Sequence, residues 1–399
     1  MREPRPADLI VIYTRLVEPR VPLAARFCYH LGRGRACVRA AKLSAVAAVL
    51  AGFYLLVIFS AGPVTGYLAD RFRPRPRAAL VLPGRVGAPA VAGARYLPSY
   101  EPAKIWLVEQ KEGYEKYSNG GRIVTTYETE SHPRSYYARV RGAEPDVAEV
   151  QETPVGIVYH TSESDIVPFT ADNNGLMKTR TQGLLEHVQR SKCYNYVIDR
   201  FGEIYRVVRD DHAAAHAGHS VWADDERFYV GLNESFIGIC FESSSAADAL
   251  DEQLTEAQLI AGRALTAVLR SKYGIKDLNC TTHALVSVNP QNMMIALHRD
   301  WVRNFPFEAM GLSDKYLVPL ASITEFGFWC DTALLRQLGG AVWPGAAKAQ
   351  EQFRQRAGRE QTSAGELRRR LRERYLAEFN LERQLRFPSP VETAAAGAR

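Results

Sequence analysis

Between Leu43 and Leu68 the chain carries no charged side chain, and Ala45 to Ala61 is dense in Ala, Val, Leu, Phe and Ile. A helix of about 20 apolar residues crosses the roughly 30 Å hydrocarbon layer of a bilayer. A helix packed on a globular core would keep one polar face, and this stretch has none. A cleaved signal peptide has a shorter apolar core and a shorter charged leader. The stretch therefore predicts one transmembrane helix over 43–68, with everything after it on the opposite side from everything before it. The flanks do not say which side is which. Arg26, Arg33, Arg35, Arg39 and Lys42 precede the span, and Arg71, Arg73, Arg75, Arg77 and Arg85 follow it. Positive charge near the two ends is thus balanced, and only Arg15 and Arg20 tilt the count toward an N-terminus inside.

The rest of the chain divides by composition. Residues 1–42 form a basic N-terminal segment, and 69–103 are a linker rich in Pro, Arg, Ala and Gly that buries little apolar surface. Residues 104–150 hold an accessory β-hairpin region. Its strands are Ile105 to Glu109 and Arg122 to Tyr127, around the turn Ser118-Asn119-Gly120-Gly121. Residues 151–331 alternate strands and helices: strand Val155 to Tyr159, helix Leu176 to Arg190, a hairpin around Phe201-Gly202, strand Phe236 to Glu242, and helix to Tyr273. Thr255 is an N-cap for that last helix and Gly274 a stop. The pattern predicts an α/β fold with a mixed central sheet flanked by helices. Residues 332–399 are a charged helix with an apolar stripe of Leu367, Leu371, Tyr375 and Phe379, then a disordered tail.

The net charge of +6 is mild and concentrated at the chain ends, so nucleic acid is not an expected partner. Six cysteines without a CxxC pair argue against a zinc ribbon and are too few for a disulfide scaffold. They read as buried thiols.

Histidine carries the chemical signal. His160 ends an apolar strand, His283 follows Cys280-Thr281-Thr282, and His298 lies in Leu297-His298-Arg299-Asp300-Trp301. Catalytic zinc takes three protein ligands and leaves one position open. Histidines at strand ends far apart in sequence suit that need, although spacing alone does not prove it.

Four runs make the segment from Val155 to Leu312 resemble the zinc-dependent N-acetylmuramoyl-L-alanine amidases of the amidase-2 type, relatives of peptidoglycan recognition proteins. They are Ile157 to Ser162, Tyr194 to Tyr205, Ala213 to Gly218 and Asn233 to Cys240, in matching order and spacing. The resemblance implies hydrolysis of the amide between N-acetylmuramic acid and L-alanine in peptidoglycan, with Zn2+ as cofactor and a muropeptide as substrate. It implies His160 and His283 as zinc ligands. The third ligand of the family is an Asp or Cys in a run absent here, so His298 is expected, with Asp300 as the other candidate. Tyr194 aligns with a catalytic tyrosine. Glu242 is expected as general base, because the family's glutamate position holds Cys240 and Glu242 lies two residues on; Glu163 competes. The family often carries a lysine two residues before its third ligand. Counted from His298, that position is Ala296, which leaves Arg299 to supply charge. His216 is expected in the substrate groove with Arg299. A non-catalytic peptidoglycan-binding module anchored in the membrane is the other expectation, and the third ligand separates the two. Peptidoglycan lies outside the bacterial inner membrane. A single-pass protein with its catalytic domain on the periplasmic, cell-wall side follows from the substrate.

Overall fold

The computed structural model describes residues 101, 103–141, 148–244 and 254–386. The chain divides into two units, Met1–Ala94 and Arg95–Arg399. The first unit lies outside the described residues, and with it the predicted segments 1–42 and 43–68 and most of the linker; the predicted disordered tail after Arg386 does too. Among the described residues no helix is long and apolar enough to cross a membrane.

The second unit is built on an eight-stranded mixed sheet. Its strands are β1 (Leu107–Lys111), β2 (Tyr114–Tyr117), β3 (Arg122–Val124), β6 (Gly156–Thr161), β7 (Tyr196–Ile198), β8 (Ile204–Arg206), β11 (Phe236–Phe241) and β12 (Cys280–Thr282), in the spatial order β1-β2-β3-β8-β7-β11-β6-β12. Strands β7, β11, β6 and β12 run parallel and form one end of it, with β12 at the edge. Every residue of β6 and β11 is buried, as expected of parallel strands covered on both faces. The segment at 104–150 differs from the accessory hairpin read from sequence. A further strand, β2, intervenes after a turn at Gly113, and β3 pairs parallel to β8, so the three strands extend the main sheet. A second sheet of four strands, in the order β5-β4-β10-β9, joins β4 (Tyr136–Val140) and β5 (Ala148–Gln151) to β9 (Val221–Ala223) and β10 (Arg227–Val230). Strands β13 (Val288–Asn289) and β14 (Met294–Ile295) form a short ribbon.

Helices cover both faces of the main sheet. Helix α2 (Glu256–Tyr273) starts at a capping box between Thr255 and Gln258 and stops at left-handed Gly274. It buries Leu265, Val268 and Leu269 in the core that holds Ile157 and Tyr159, and Thr266 bonds the Tyr159 hydroxyl at 2.8 Å. Helix α1 (Asn174–Ser191) packs Leu185 and Val188 on Val197, Val207 and Cys240 of the other face. His160 is the register partner of Cys240, so it looks toward this second face.

Short helices α3 (His283–Val286), α4 (Ala321–Thr324) and α5 (Thr332–Gln337) follow. The C-terminal region is two helices, α6 (Pro344–Arg359) and α7 (Ala364–Arg386), where the sequence suggests one. The break falls at Gln361, whose φ of +52° no helix accommodates. The apolar stripe docks α7: Leu367, Leu371 and Tyr375 are buried, and Phe379 stacks on His219 at 4.0 Å between ring centroids.

Candidate active site

His160 is the next-to-last residue of β6, and its ring is fully buried. His283 opens α3 directly after β12, two strands' ends thus bringing their histidines side by side with ring centroids 4.5 Å apart. Asp300 comes from a loop held against α3, since the Ala284 N–H donates to the Asp300 carbonyl at 3.2 Å. Trp301 turns the chain at that point. Its φ of +57° is unusual for a bulky side chain, and the ring is sunk among Phe241 and Phe305. The Asp300 carboxylate lies 3.1 Å from His160 Nδ1 and 2.9 Å from His283 Nδ1.

These three donors are the group among the described residues whose ligand atoms all fall within 4.8 Å of one another. Ligands about 2.0–2.1 Å from a tetrahedral zinc ion stand roughly 3.3–3.4 Å apart, so the 2.9–3.1 Å contacts are close to that spacing. Two imidazoles and a carboxylate also form the three-ligand donor set of an open catalytic site. The residues present therefore fit zinc.

His298 is not in that group. Its ring stacks on His283 at 4.5 Å and 15°, and it is exposed at the rim. The expected ligand at His298 thus gives way to Asp300, in a stretch that turns through left-handed backbone at Ala296 and Trp301. Counting two residues back from Asp300 then lands on His298 and not on Ala296.

Burial, with the neighbouring His283, pushes His160 down to about 4. Burial alone would raise the Asp300 carboxyl, but His283 and His160 hold it well below the usual carboxylate range. Burial likewise lowers His298, and His283 adds to it. The Tyr194 ring sits 5.0 Å from that of His160, and burial keeps its phenol protonated far above the ordinary range.

The other expected site residues stand outside that group of three donors. Glu242 is buried beneath α1, where its carboxylate accepts from Thr181 Oγ1 at 2.7 Å, and burial raises it. Glu163 is exposed, two residues past the end of β6, and accepts from the Thr161 hydroxyl. Arg299 reaches toward α5, donating to Gln337 Oε1 at 2.7 Å with Asp331 at 3.9 Å. His216 is buried behind His160, with Nδ1 3.1 Å from His160 Nε2 and Nε2 3.2 Å from the Phe236 carbonyl. With both nitrogens occupied it does not line a groove.

Two residues that support the site carried no chemical signal in the sequence. Asn233 Oδ1 accepts from the N–H groups of His216, Ala217 and Gly218 at 2.9, 2.6 and 3.3 Å, fixing the turn that presents His216. Buried Arg134 donates to the carbonyls of Asp210, Glu234 and Phe236, tying that turn's neighbours to the sheet.

Two histidines and an aspartate converging beside a half-buried tyrosine at the ends of parallel strands define a candidate metal-assisted hydrolase. Residues 151–303 match the model of the family described as N-acetylmuramoyl-L-alanine amidase, Amidase_2. No curated protein matches the chain. Among solved structures, amidase LysC from Clostridium intestinale URNW is 21% identical, and the match covers 47% of this chain and 93% of that one at a TM-score of 0.27. AmiD from E. coli is 19% identical, with 57% and 79% covered and a TM-score of 0.30. AmpDh3 from Pseudomonas aeruginosa is 17% identical, with 46% and 71% covered and a TM-score of 0.30. At such TM-scores these likenesses carry no structural argument.

Proposed function

We propose that this chain cuts the amide between the lactyl group of N-acetylmuramic acid and L-alanine in peptidoglycan, using zinc held by His160, His283 and Asp300. The observation that carries the reading is the convergence of those three donors within 4.8 Å inside the segment 151–303. The third ligand separates an amidase from a peptidoglycan binder, and the nearness of Asp300 to His160 and His283 supports the amidase.

When bound, zinc would act as a Lewis acid on the scissile carbonyl and make a water acidic near neutral pH. The protein's own groups do the rest. Tyr194, kept protonated beside His160, donates a hydrogen bond to the developing oxyanion. His298, two residues before Asp300 and exposed at the rim, supplies the second donor in the place where the family often has lysine. Glu163 takes the proton from water, since it is exposed near the end of β6 whereas Glu242 is buried beneath α1. The water oxygen joins the carbonyl carbon, the C–N bond breaks, and the proton passes to the leaving L-alanine amine. The products are a muramic acid carboxylate and a free stem peptide.

The uncharged stretch 43–68 and the extracellular location of the substrate support a single-pass inner-membrane protein with this domain on the cell-wall side. The test of activity is incubation of the full chain with purified muropeptides, with and without a chelator, followed by mass analysis. Chelator-sensitive release of stem peptide with an L-alanine amino terminus is expected. Failure to release it would sink the enzyme reading.

A further inference from the structure

A chain of hydrogen bonds runs from the backbone of β11 to the metal-facing side of His160. His216 Nε2 lies 3.2 Å from the Phe236 carbonyl, and a carbonyl can only accept. The His216 Nε2 therefore carries the hydrogen. Buried, and with no carboxylate among its hydrogen-bond partners, the ring stays neutral, so its Nδ1 is bare. That bare Nδ1 lies 3.1 Å from His160 Nε2, which must then be the donor. A neutral His160 with its hydrogen on Nε2 has a lone pair on Nδ1. Nδ1 is the atom that faces Asp300 Oδ2 at 3.1 Å. Two lone-pair atoms at that distance repel unless a cation lies between them. The same chain of bonds therefore turns a bare Nδ1 toward the Asp300 carboxylate, where a metal ion would be held between them.

The ring that starts this relay has little freedom to leave. Its backbone N–H and the next two all donate to Asn233 Oδ1. It lies flat against Gly238 of β11, where a Cβ would come within 2.7 Å of its Cγ. The glycine is thus needed for the histidine to reach His160 at all.

We infer that His216 is a positioning residue for the metal site: it sets the tautomer of His160 so that a bare Nδ1 faces the metal. This rests on the zinc reading above. The hydrogen on a ligating histidine's other nitrogen commonly meets a carboxylate or carbonyl; here it meets a second histidine, whose own hydrogen ends on the backbone.

The test uses the full chain in detergent and three measurements on His216→Phe and His216→Asn. Phenylalanine fills the space without accepting a hydrogen bond, and asparagine places an acceptor oxygen near the former Nδ1. Zinc affinity, measured by competition with a chromophoric chelator, should fall about 10- to 100-fold in His216→Phe. It should stay within about threefold of wild type in His216→Asn, because the acceptor survives. Nitrogen-15 spectra of the metal-free protein should show His160 as the Nε2–H form in wild type and His216→Asn, and a mixture in His216→Phe. Equal affinity in all three proteins, or equal loss in both variants, would overturn the inference, since the second result marks a packing role alone. An Nδ1–H form of His160 in the wild type would also overturn it. Should wild type bind no zinc, the amidase reading fails by itself, and the nitrogen spectra still decide the tautomer. Should His216→Phe fail to fold, His216→Asn and the wild-type spectra decide it.

Discussion

Replacing Gly238 by alanine probes the site from the strand beneath it. An added Cβ would lie 2.7 Å from Cγ, 2.9 Å from Cδ2 and 3.0 Å from Cβ of His216. To restore ordinary contact at about 3.4 Å, the ring must lift by about 0.7 Å. Its bonds to His160 and to the Phe236 carbonyl are already 3.1 and 3.2 Å long, and a lift of that size misaligns and weakens both. The three bonds from Asn233 resist the movement. Overpacking of this kind costs about 1–3 kcal/mol. Urea unfolding of the Gly238→Ala protein should show that loss with an unchanged slope, and zinc affinity should fall severalfold through the weakened bond to His160. Stability within about 0.5 kcal/mol of wild type, together with unchanged zinc affinity, would refute the claim that His216 is held between Gly238 and His160.

Other expectations follow from the same geometry. His283→Ala and Asp300→Ala should each abolish stoichiometric zinc binding, measured by metal analysis after gel filtration, whereas His298→Ala should keep the metal and lose activity about 10- to 1,000-fold. Glu163→Gln should lower kcat about 100-fold or more with zinc retained, and Glu242→Gln should leave kcat within a few-fold; the reverse order would return the base role to Glu242. A fourth expectation concerns α7. Burial pushes Glu382 up to about 7, against the pull of Arg139, and its Oε2 has no partner among the described residues. The folded protein therefore holds this proton more tightly than the unfolded chain. The stability it contributes is complete below about pH 4.5 and is lost as pH rises through about 7, by at most roughly 3 kcal/mol. Denaturation at a series of pH values should show this loss, and Glu382→Gln should remove it.

The parts of this molecule that repeat a period were legible before the structure. The apolar run of β6 points to His160, the Phe201-Gly202 turn to the β7–β8 hairpin, and Thr255 with Gly274 to both ends of α2. The stripe from Leu367 to Phe379 correctly marks the face that docks α7. What was not legible lies where no period exists. Between Val288 and Asn304 the chain turns through positive φ at Met293, Ala296, Trp301 and Asn304, so the inward-facing residue cannot be counted from sequence. That is why His298 and Asp300 exchange places. Strands β4 and β5 escaped for a similar reason. β5 is almost wholly exposed and shows no apolar alternation, and it is recognisable as a strand only by its pairing with β4. Glu242 points to the expected face, but the residue that meets it there is Thr181 of α1, a contact between elements about sixty positions apart.

The central claim is that His160, His283 and Asp300 hold a zinc ion with one position left open. X-ray absorption at the zinc edge of the full chain, loaded with one equivalent, tests it most directly. The account predicts nitrogen and oxygen neighbours at about 2.0–2.1 Å, two of them imidazoles, and no sulfur near 2.3 Å. A sulfur neighbour, or an imidazole count that His283→Ala leaves unchanged, would contradict it.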